Sequence, residues 1–314
     1  MTTELLTPVT RSATGRARGT VLVVLASCCF GTSGPLAKPM MDAGLSPQQV
    51  ASVRIGLAAV IMLVVLALTR PALLRVHRAH WRLLAAYGLA GVATAQVMYF
   101  AAVARIPIGV AMLLEFTAPI LVALWVRFVR GTRLPGQAWL GTILALVGLA
   151  LVAQVWDGLA FDALGMLAGV AAALGAAAYF LLGEHGVASV EPLTLVTWGM
   201  VVGAVVIFVW APPWSVPFDI FNDTTKFGPW HPPVWTMVIA IAVLSTALAY
   251  FFSISAMRHL PSNVVSVLSL CEPVVATAVA WAFLGQSLTA VQVLGAAVLL
   301  GGATLVQISS AIPE

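Results

Sequence analysis

Residues 263–284 read NVVSVLSLCEPVVATAVAWAFL, and this stretch decides the fold. It is apolar over the length of a membrane-spanning helix, yet Glu272 and Pro273 lie near its middle. A carboxylate is costly inside hydrocarbon, so such a residue usually faces a cavity or a partner rather than lipid. A second apolar stretch holds Glu115 shortly before Pro119. Two acids in two similar helices predict a path for a solute through a membrane.

The composition is typical of a membrane protein. Of the 314 residues, 61% are hydrophobic and 8% are charged, whereas a soluble domain has about 25% charged residues. The three cysteines give no disulfide framework. The apolar run 21–30 follows several arginines, as in a signal peptide, but many more membrane-length segments come after it. We therefore expect a first membrane span preceded by a short disordered tail, residues 1–18.

Apolar windows of about 20 residues predict ten transmembrane helices and an all-α membrane fold. Segments this apolar must be helical, because lipid offers no partner for an unpaired backbone group. The predicted spans are residues 19–38, 50–69, 81–102, 108–128, 137–155, 163–182, 193–211, 233–255, 262–284 and 289–309.

The basic residues predict the orientation of the chain. If the N-terminus is cytoplasmic, the outer side holds only Lys38, Arg105 and Lys226, and Arg54 falls within a span. The other basic residues then lie on the inner side: Arg11, Arg16, Arg18, Arg70, Arg75, Arg78, Arg82, Arg127, Arg130, Arg133 and Arg258. The positive-inside rule therefore predicts that both termini are cytoplasmic. The positive charge orients the chain, and no nucleic-acid partner is expected.

The two halves of the chain match each other at a fixed offset of 154 residues. Pro107 falls on Pro261, Pro119 on Pro273, Gly131 on Gly285, Gly141 on Gly295 and Gly148 on Gly302. The offset predicts two repeats, residues 19–155 and 163–309. Each repeat has five spans, an odd number, so the second enters the membrane from the opposite side. Inverted repeats with proline-interrupted helices are typical of alternating-access carriers with a site near the midplane.

Two stretches resemble a known family. Residues 99–125 read YFAAVARIPIGVAMLLEFTAPILVALW, and residues 268–289 read LSLCEPVVATAVAWAFLGQSLT. Both resemble the drug/metabolite transporter superfamily, and within it the EamA-type carriers with ten helices. The run 114–119 and the preceding Arg-Ile-Pro are particularly similar to bacterial threonine/homoserine exporters. The resemblance covers essentially the whole chain and implies a multi-pass protein in the cytoplasmic membrane of a bacterium.

One departure from the family limits what the resemblance implies. The family commonly has Gly-Glu at the ends of the fourth and ninth helices, whereas this chain has Gly131-Thr132 and Gly285-Gln286. A role of that acid in relatives therefore does not transfer to this chain. The shared Glu-Pro and repeat landmarks are specific for the superfamily but weak for substrate.

Glu115 and Glu272 are the first candidates for solute binding. With a rise of 1.5 Å per residue, Glu272 lies about 15 Å into its span and Glu115 about 10 Å into its own. By the offset Glu272 matches Ala118, nearly one turn from Glu115, so the acids share a face of equivalent helices. Pro119 and Pro273 weaken the helix and free carbonyls that can coordinate a ligand or water. Glu272 is a counter-ion for a substrate ammonium group, a proton carrier or a structural acid, and the sequence leaves these open.

Further polar residues complete the predicted cavity. Nearer the start of each half the offset is 145, since Ser46-Pro47 resembles Glu191-Pro192. Arg54 reaches a depth similar to that of Glu115, and at this offset Gly199 stands in its place in the second repeat. It predicts either a clamp for a substrate carboxylate or an ion pair with Glu115. The equivalent spans three and eight are expected to line the cavity, or to form hydrogen bonds between helices, with Gln96, Tyr99, Tyr250 and Ser253.

Two loops are candidates for gates. Glu184, His185 and Glu191 fall in a predicted inner loop, where they are solvated charges or part of a gate. Residues 212–233 are rich in proline and aromatic residues, are predicted to lie outside, and offer a lid.

The sequence favours a secondary carrier that exports a small polar metabolite, such as an amino acid, across the lipid bilayer. It contains no nucleotide-binding loop, so a gradient must supply the energy, and the proton is the hypothesised coupling ion. Efflux of hydrophobic cations or drugs is the alternative, because an aromatic cavity with acids would serve it too. An intramembrane enzyme is disfavoured, since the chain lacks His-Glu-x-x-His and Gly-x-Ser-x-Gly. No cofactor or metal site is expected, and a homodimer is left open.

Overall fold

The computed structural model describes residues 13–156, 162–285 and 287–309. In these ranges the chain is helical apart from its loops, and the only β pairing is two isolated bridges within residues 224–233. The predicted all-α fold is confirmed. The predicted tail lies mostly outside the described residues, as does Gln286, but residues 13–18 belong to the first helix.

Ten helical spans follow one another, and five of them are divided into segments. In chain order they are span one, Ala13–Gly31 and Ser33–Asp42; span two, Pro47–Thr69; span three, Trp81–Ala86, Tyr87–Ala93 and Thr94–Val103; span four, Ile108–Glu115 and Ala118–Phe128; span five, Gly136–Val152; span six, Ala163–Val187; span seven, Pro192–Trp210; span eight, Val234–Ala242, Val243–Leu248 and Ala249–Ala256; span nine, Ser262–Leu268, Ser269–Cys271 and Glu272–Leu284; and span ten, Ala290–Ser309. Within the described chain, nine spans are long and apolar enough to cross a membrane, and span five is a shorter apolar helix of 17 residues.

Local sequence explains where several spans begin. Ser46 and Gln49 form a capping box before span two: the amide of Gln49 donates to Ser46 Oγ (3.2 Å), and the amide of Ser46 donates to Gln49 Oε1 (2.9 Å). Pro47 occupies the first helical position, where its missing N–H costs nothing. Asp162 caps span six by accepting from the amide of Gly165 (2.6 Å).

Both ends of the described chain lie at the same end of the bundle. Gln307 of span ten donates to Thr20 of span one (2.6 Å). We call this end the terminal face and the other end the opposite face. Since successive spans alternate in direction, the spans with even numbers end at the terminal face. That this face is cytoplasmic stays a prediction.

Spans five and ten pack as a symmetric pair. A methyl group on Gly302 would lie 2.5 Å from the carbonyl oxygen of Gly141, and one on Gly148 would lie 2.6 Å from that of Gly295. At the offset of 154 these two contacts are the same contact seen from each repeat. Residue numbers rise along one helix as they fall along the other, so the equivalent helices are antiparallel. This packing supports the predicted inversion of the second repeat.

The loop between spans seven and eight is ordered against the opposite face. It contains the short 3-10 segments Pro213–Ser215 and Phe218–Asn222. Phe227 stacks on Phe283 of span nine, with ring centroids 5.4 Å apart and planes 7° apart. Thr225 Oγ1 donates to the carbonyl of Pro39 (2.9 Å). The loop therefore joins the ends of spans one and nine.

One predicted loop is shorter than expected. Span six continues to Val187, so Glu184 and His185 lie in its last turn rather than in a loop. The helix can keep an acid there because Arg130 forms an ion pair with Glu184 and Ser262 donates to it (2.8 Å). The loop that remains ends at Glu191, just before span seven.

Candidate functional site

The two acids lie at breaks in equivalent helices. In span four one helix ends at Glu115 and the next begins at Ala118, while in span nine Glu272 is the first residue of the last segment. Pro119 and Pro273 supply no N–H to the preceding turn, which explains why both helices are interrupted there. The breaks thus place a carboxylate in the middle of each span, as the sequence indicated.

Both carboxylates line one cavity of about 330 Å³ that is enclosed by spans of both repeats. Sites for small molecules measure about 300–1,000 Å³, so this cavity is large enough for a metabolite. Pro273 is buried beside it and does not contribute to the wall. The other predicted residues all do: Arg54, Gln96, Tyr99, Glu115, Pro119, Tyr250, Ser253 and Glu272.

Arg54 is buried in the wall, with 7% of the residue exposed. Its guanidinium donates to Ser33 Oγ and to Gln96 Oε1, the latter at 2.8 Å. Among the ion pairs of the described residues, none includes Arg54. The sequence left two roles open for Arg54, a clamp for a substrate carboxylate and an ion pair with Glu115. The structure does not contain that ion pair.

A break in span one brings Ser33 to Arg54. The first helix ends at Gly31, and Thr32 Oγ1 donates to the carbonyl of Cys29 (2.7 Å). The same hydroxyl forms a hydrogen bond of 2.7 Å with Ser245 Oγ in span eight. This break fixes the direction of the second segment and so fixes one partner of the guanidinium.

An aromatic cluster forms another part of the wall. The ring of Tyr250 lies 5.1 Å from that of Phe30 and 5.4 Å from that of Tyr179, both in edge-to-face contact. Phe30 and Tyr179 also line the cavity, and neither was predicted. Tyr179 could have been noticed as one of four tyrosines in the chain.

Serines of span nine are further cavity residues that the prediction missed. Ser266 and Ser269 line the cavity together with Glu272. Their spacing of three residues places all three on one face of the span. This polar stripe in an apolar helix was the signal that could have identified them.

The cavity extends toward the opposite face. Its wall includes the residues at the start of spans two and four, Pro47 and Ile108, and the residues near the end of spans one and three, Met41 and Val103. These residues all lie at the opposite face. On the terminal side, the wall residues nearest to a span end are Ser253, three residues before the end of span eight, and Ser266, four residues after the start of span nine.

The terminal face is held together by ion pairs between the repeats. Arg130, just after span four, pairs with Glu184 of span six, whose side chain is only 14% exposed. Glu191, before span seven, lies 3.4 Å from Arg70 of the first repeat and 3.3 Å from Arg258 of its own repeat. Each acid therefore links segments that lie far apart in the sequence.

Both halves of the chain match a known family. Residues 17–154 and residues 163–308 each match the sequence model of the EamA-like transporter family. A solved crystal structure that is 18% identical superposes with a TM-score of 0.75 and covers 92% of this chain and 96% of its own. That likeness shows a shared fold.

Several proteins with a stated name are similar over most of the chain. The threonine/homoserine exporter RhtA of Escherichia coli (strain K12) is 30% identical over 278 residues, which cover 87% of this chain and 85% of that protein. The RhtA of Salmonella typhimurium (strain SL1344) is 29% identical over the same coverage. An uncharacterized transporter of Archaeoglobus fulgidus is 25% identical and covers 65% of this chain and 68% of its own. These relatives are named as exporters or transporters rather than as enzymes.

Proposed function

The chain belongs to the EamA-like transporter family, and from this membership we propose that it is a secondary carrier that exports small polar metabolites, namely amino acids or related compounds. The observation that carries the proposal is the cavity between the repeats, which is lined by Glu115, Glu272 and Arg54. Charged groups are kept inside a membrane protein where they bind a solute or an ion. The names of the RhtA relatives support an amino acid as the solute.

Alternating access is the mechanism that we propose for this cavity. The cavity reaches the opposite face, whereas ion pairs of Glu184 and Glu191 join the repeats at the terminal face. In carriers with inverted repeats, one repeat rocks against the other around a fixed central site. The state open at the terminal face would then require these ion pairs to separate.

The chain is a multi-pass protein of the bacterial cytoplasmic membrane, and we propose that its terminal face is cytoplasmic. The excess of Lys and Arg in the loops of that face supports this orientation. With this orientation the cavity extends toward the outside, which supports an outward-facing state. A carrier that exports a solute passes through this state when it releases the solute.

Proton coupling is the finer part of the proposal, and it assigns different tasks to the two acids. Glu115 is the last residue of its helical segment, whereas Glu272 is the first residue of its own. A helix end carries partial negative charge at its C-terminus and partial positive charge at its N-terminus. The backbone thus supports a negative charge better at Glu272. We therefore assign Glu272 to the solute's ammonium group and Glu115 to proton carriage.

Efflux of hydrophobic cations is the second candidate function, and the aromatic wall favours it. Phe30, Tyr179 and Tyr250 surround part of a cavity that also holds two acids. Aromatic faces and carboxylates together bind organic cations. The class of solute that the protein transports, amino acids or organic cations, decides between the two candidate functions.

Counterflow into proteoliposomes tests the proposal. Purified protein is reconstituted with a high internal concentration of one unlabelled solute, and uptake of the labelled solute is followed for a panel of amino acids and of organic cations. We expect counterflow of at least one amino acid and none of the cations. Counterflow of the cations alone would support the second candidate, and no counterflow of any solute would contradict a carrier for either class. An imposed pH gradient tests coupling, and uptake indifferent to it would exclude the proton.

A further inference from the structure

The cavity contains a buried cation that has no carboxylate of the described residues within ion-pair distance, although Glu115 and Glu272 line the same cavity. Arg54 is 7% exposed, and no ion pair joins it to a carboxylate within the part of the chain that the structure describes. A buried charge is costly unless another charge compensates it, so buried arginines are nearly always paired. Glu115 and Glu272 act on the guanidinium only across the cavity, so an anion in direct contact is missing, and the cavity is where such an anion can reach it.

The guanidinium of Arg54 is held in place by two hydrogen bonds, but several of its N–H donors have no acceptor among the described residues. An arginine has five N–H donors in a planar fork. Ser33 and Gln96 each accept from one terminal nitrogen, and Nε has no partner. These two acceptors are neutral, so they orient the fork without neutralising it. The guanidinium therefore still has N–H donors and a positive charge to offer to a planar acceptor that takes two hydrogen bonds. A carboxylate has this geometry.

The second repeat has no equivalent of this cation. Gly199 stands in the position of Arg54, and the ring of Tyr87 lies so close to it that no side chain fits there. The cavity is therefore positive only on the side of span two, although its walls come from two similar repeats. A solute that carries a different charge at each end needs such an asymmetric site.

We propose that Arg54 binds the carboxylate of a free amino acid while Glu272 binds its ammonium group. The inference rests on the proposed carrier function and adds the residue that selects the solute. Arg54 would make the carrier distinguish an amino acid from the same molecule with its carboxylate esterified or removed. Ser33 and Gln96 are positioning residues, because they contact the guanidinium and set its direction.

The experiment compares three forms of one solute. The twenty common amino acids and homoserine are screened by counterflow, and the best of them is compared with its methyl ester and with its decarboxylated amine as competitors. For the wild-type protein we expect each competitor to bind at least about thirtyfold more weakly than the amino acid, which is typical when one partner of a buried charge pair is lost. Equal competition by the ester would overturn the proposal.

Variants of Arg54 test whether this residue is responsible. Arg54→Gln should weaken binding of the amino acid by about thirtyfold and leave binding of the ester and the amine within about twofold. Arg54→Lys keeps the charge but not the fork, so its loss should be intermediate. Lys38→Gln is the matched control, because Lys38 pairs with Asp42 (2.8 Å) outside the cavity wall, and it should behave as wild type.

The outcomes separate this inference from the carrier function. An equal loss for all three solutes in Arg54→Gln would show that Arg54 acts only on the structure, and the inference would fail. If Arg54→Gln does not fold, Arg54→Lys decides by the same comparison, because it keeps the charge but not the fork. Counterflow of organic cations without counterflow of amino acids would overturn the inference, but the protein would still be a carrier. No counterflow of any solute would overturn both.

Discussion

Arg130 at the end of span four forms an ion pair with Glu184 in the last turn of span six, and this pair joins the first repeat to the second. Ser262, the first residue of span nine, donates to the same carboxylate (2.8 Å). The contact lies at the terminal face, beyond the residues that line the cavity. It therefore has the position expected of a gate that closes one end of the solute path.

Removing this ion pair should favour the state that is open at the terminal face. Arg130 is about one-third exposed, so solvent screens the pair, and we expect Glu184→Gln to shift the equilibrium by about 1 kcal/mol, or roughly fivefold. The measurement uses a variant without native cysteines in which Ser266, buried in the cavity wall, is replaced by cysteine. Labelling of that cysteine from the terminal face should become about fivefold faster.

Two controls make the gate prediction specific. The double variant Arg130→Glu with Glu184→Arg restores opposite charges and should return labelling toward the wild-type rate. Lys38→Gln removes an ion pair that lies within one helix near the opposite face, and it should change nothing. Equal labelling rates in Glu184→Gln and wild type would show that the pair does not hold the face closed.

The packing of spans five and ten should tolerate almost no added volume. In Gly302→Ala the new methyl group would lie 2.5 Å from the amide nitrogen of Ala145 and from the carbonyl oxygen of Gly141. Overpacking of this kind costs about 1–3 kcal/mol, so the thermal unfolding midpoint in detergent should fall by several degrees. Gly301→Ala is the control on the adjacent residue, where nothing lies within 4 Å. A similar midpoint for both variants would contradict close packing at this helix pair.

Much of the site could be predicted because a polar residue is conspicuous in an apolar span. Glu272 is followed directly by Pro273, Glu115 lies four residues before Pro119, and the repeat offset relates the two acids to nearly the same helix face. Gln96 and Tyr250 were found in the same way. In each case the cost of burying a polar group in lipid supplied the signal, and this cost depends on the local sequence alone.

The remaining features depend on contacts that a single sequence does not contain. Span six is apolar around its whole circumference, so no stripe indicates that Tyr179 faces the cavity. The ion pair of Arg130 with Glu184 joins residues 54 positions apart. The hydrogen bond of Arg54 to Ser33 joins residues 21 positions apart. Pro35 follows Gly31 by four residues, as Pro119 follows Glu115, so the sequence marks the break in span one but not the contact that it creates. Rotation about a helix axis and packing between spans decide these features.

The loop at the opposite face should lose its order when Phe283 is removed. Phe227 and Trp230 both stack on this ring, with centroid distances of 5.4 and 6.1 Å. Aromatic pairs contribute about 0.5–1.5 kcal/mol beyond the area that they bury, so Phe283→Ala should speed amide hydrogen exchange in residues 224–233. Trp214→Ala is the control, because Trp214 belongs to the same loop and is 72% exposed. Unchanged exchange in Phe283→Ala would show that other contacts order the loop.

The two acids of the cavity should respond differently to the same conservative change. Glu272 begins a helical segment and is assigned to the solute, so Glu272→Gln should weaken solute binding by roughly ten- to hundredfold, the range for a hydrogen bond to a charged group. Glu115 ends a segment and is assigned to the proton, so Glu115→Gln should keep counterflow but lose its response to a pH gradient. Asp42→Asn, an exposed acid outside the cavity wall, is the control for both. Counterflow with labelled solute, measured with and without the gradient, separates the two effects. If Glu115→Gln weakened solute binding and Glu272→Gln lost the response to the pH gradient, the two assignments would be reversed. Wild-type behaviour of both variants would show that both acids are structural.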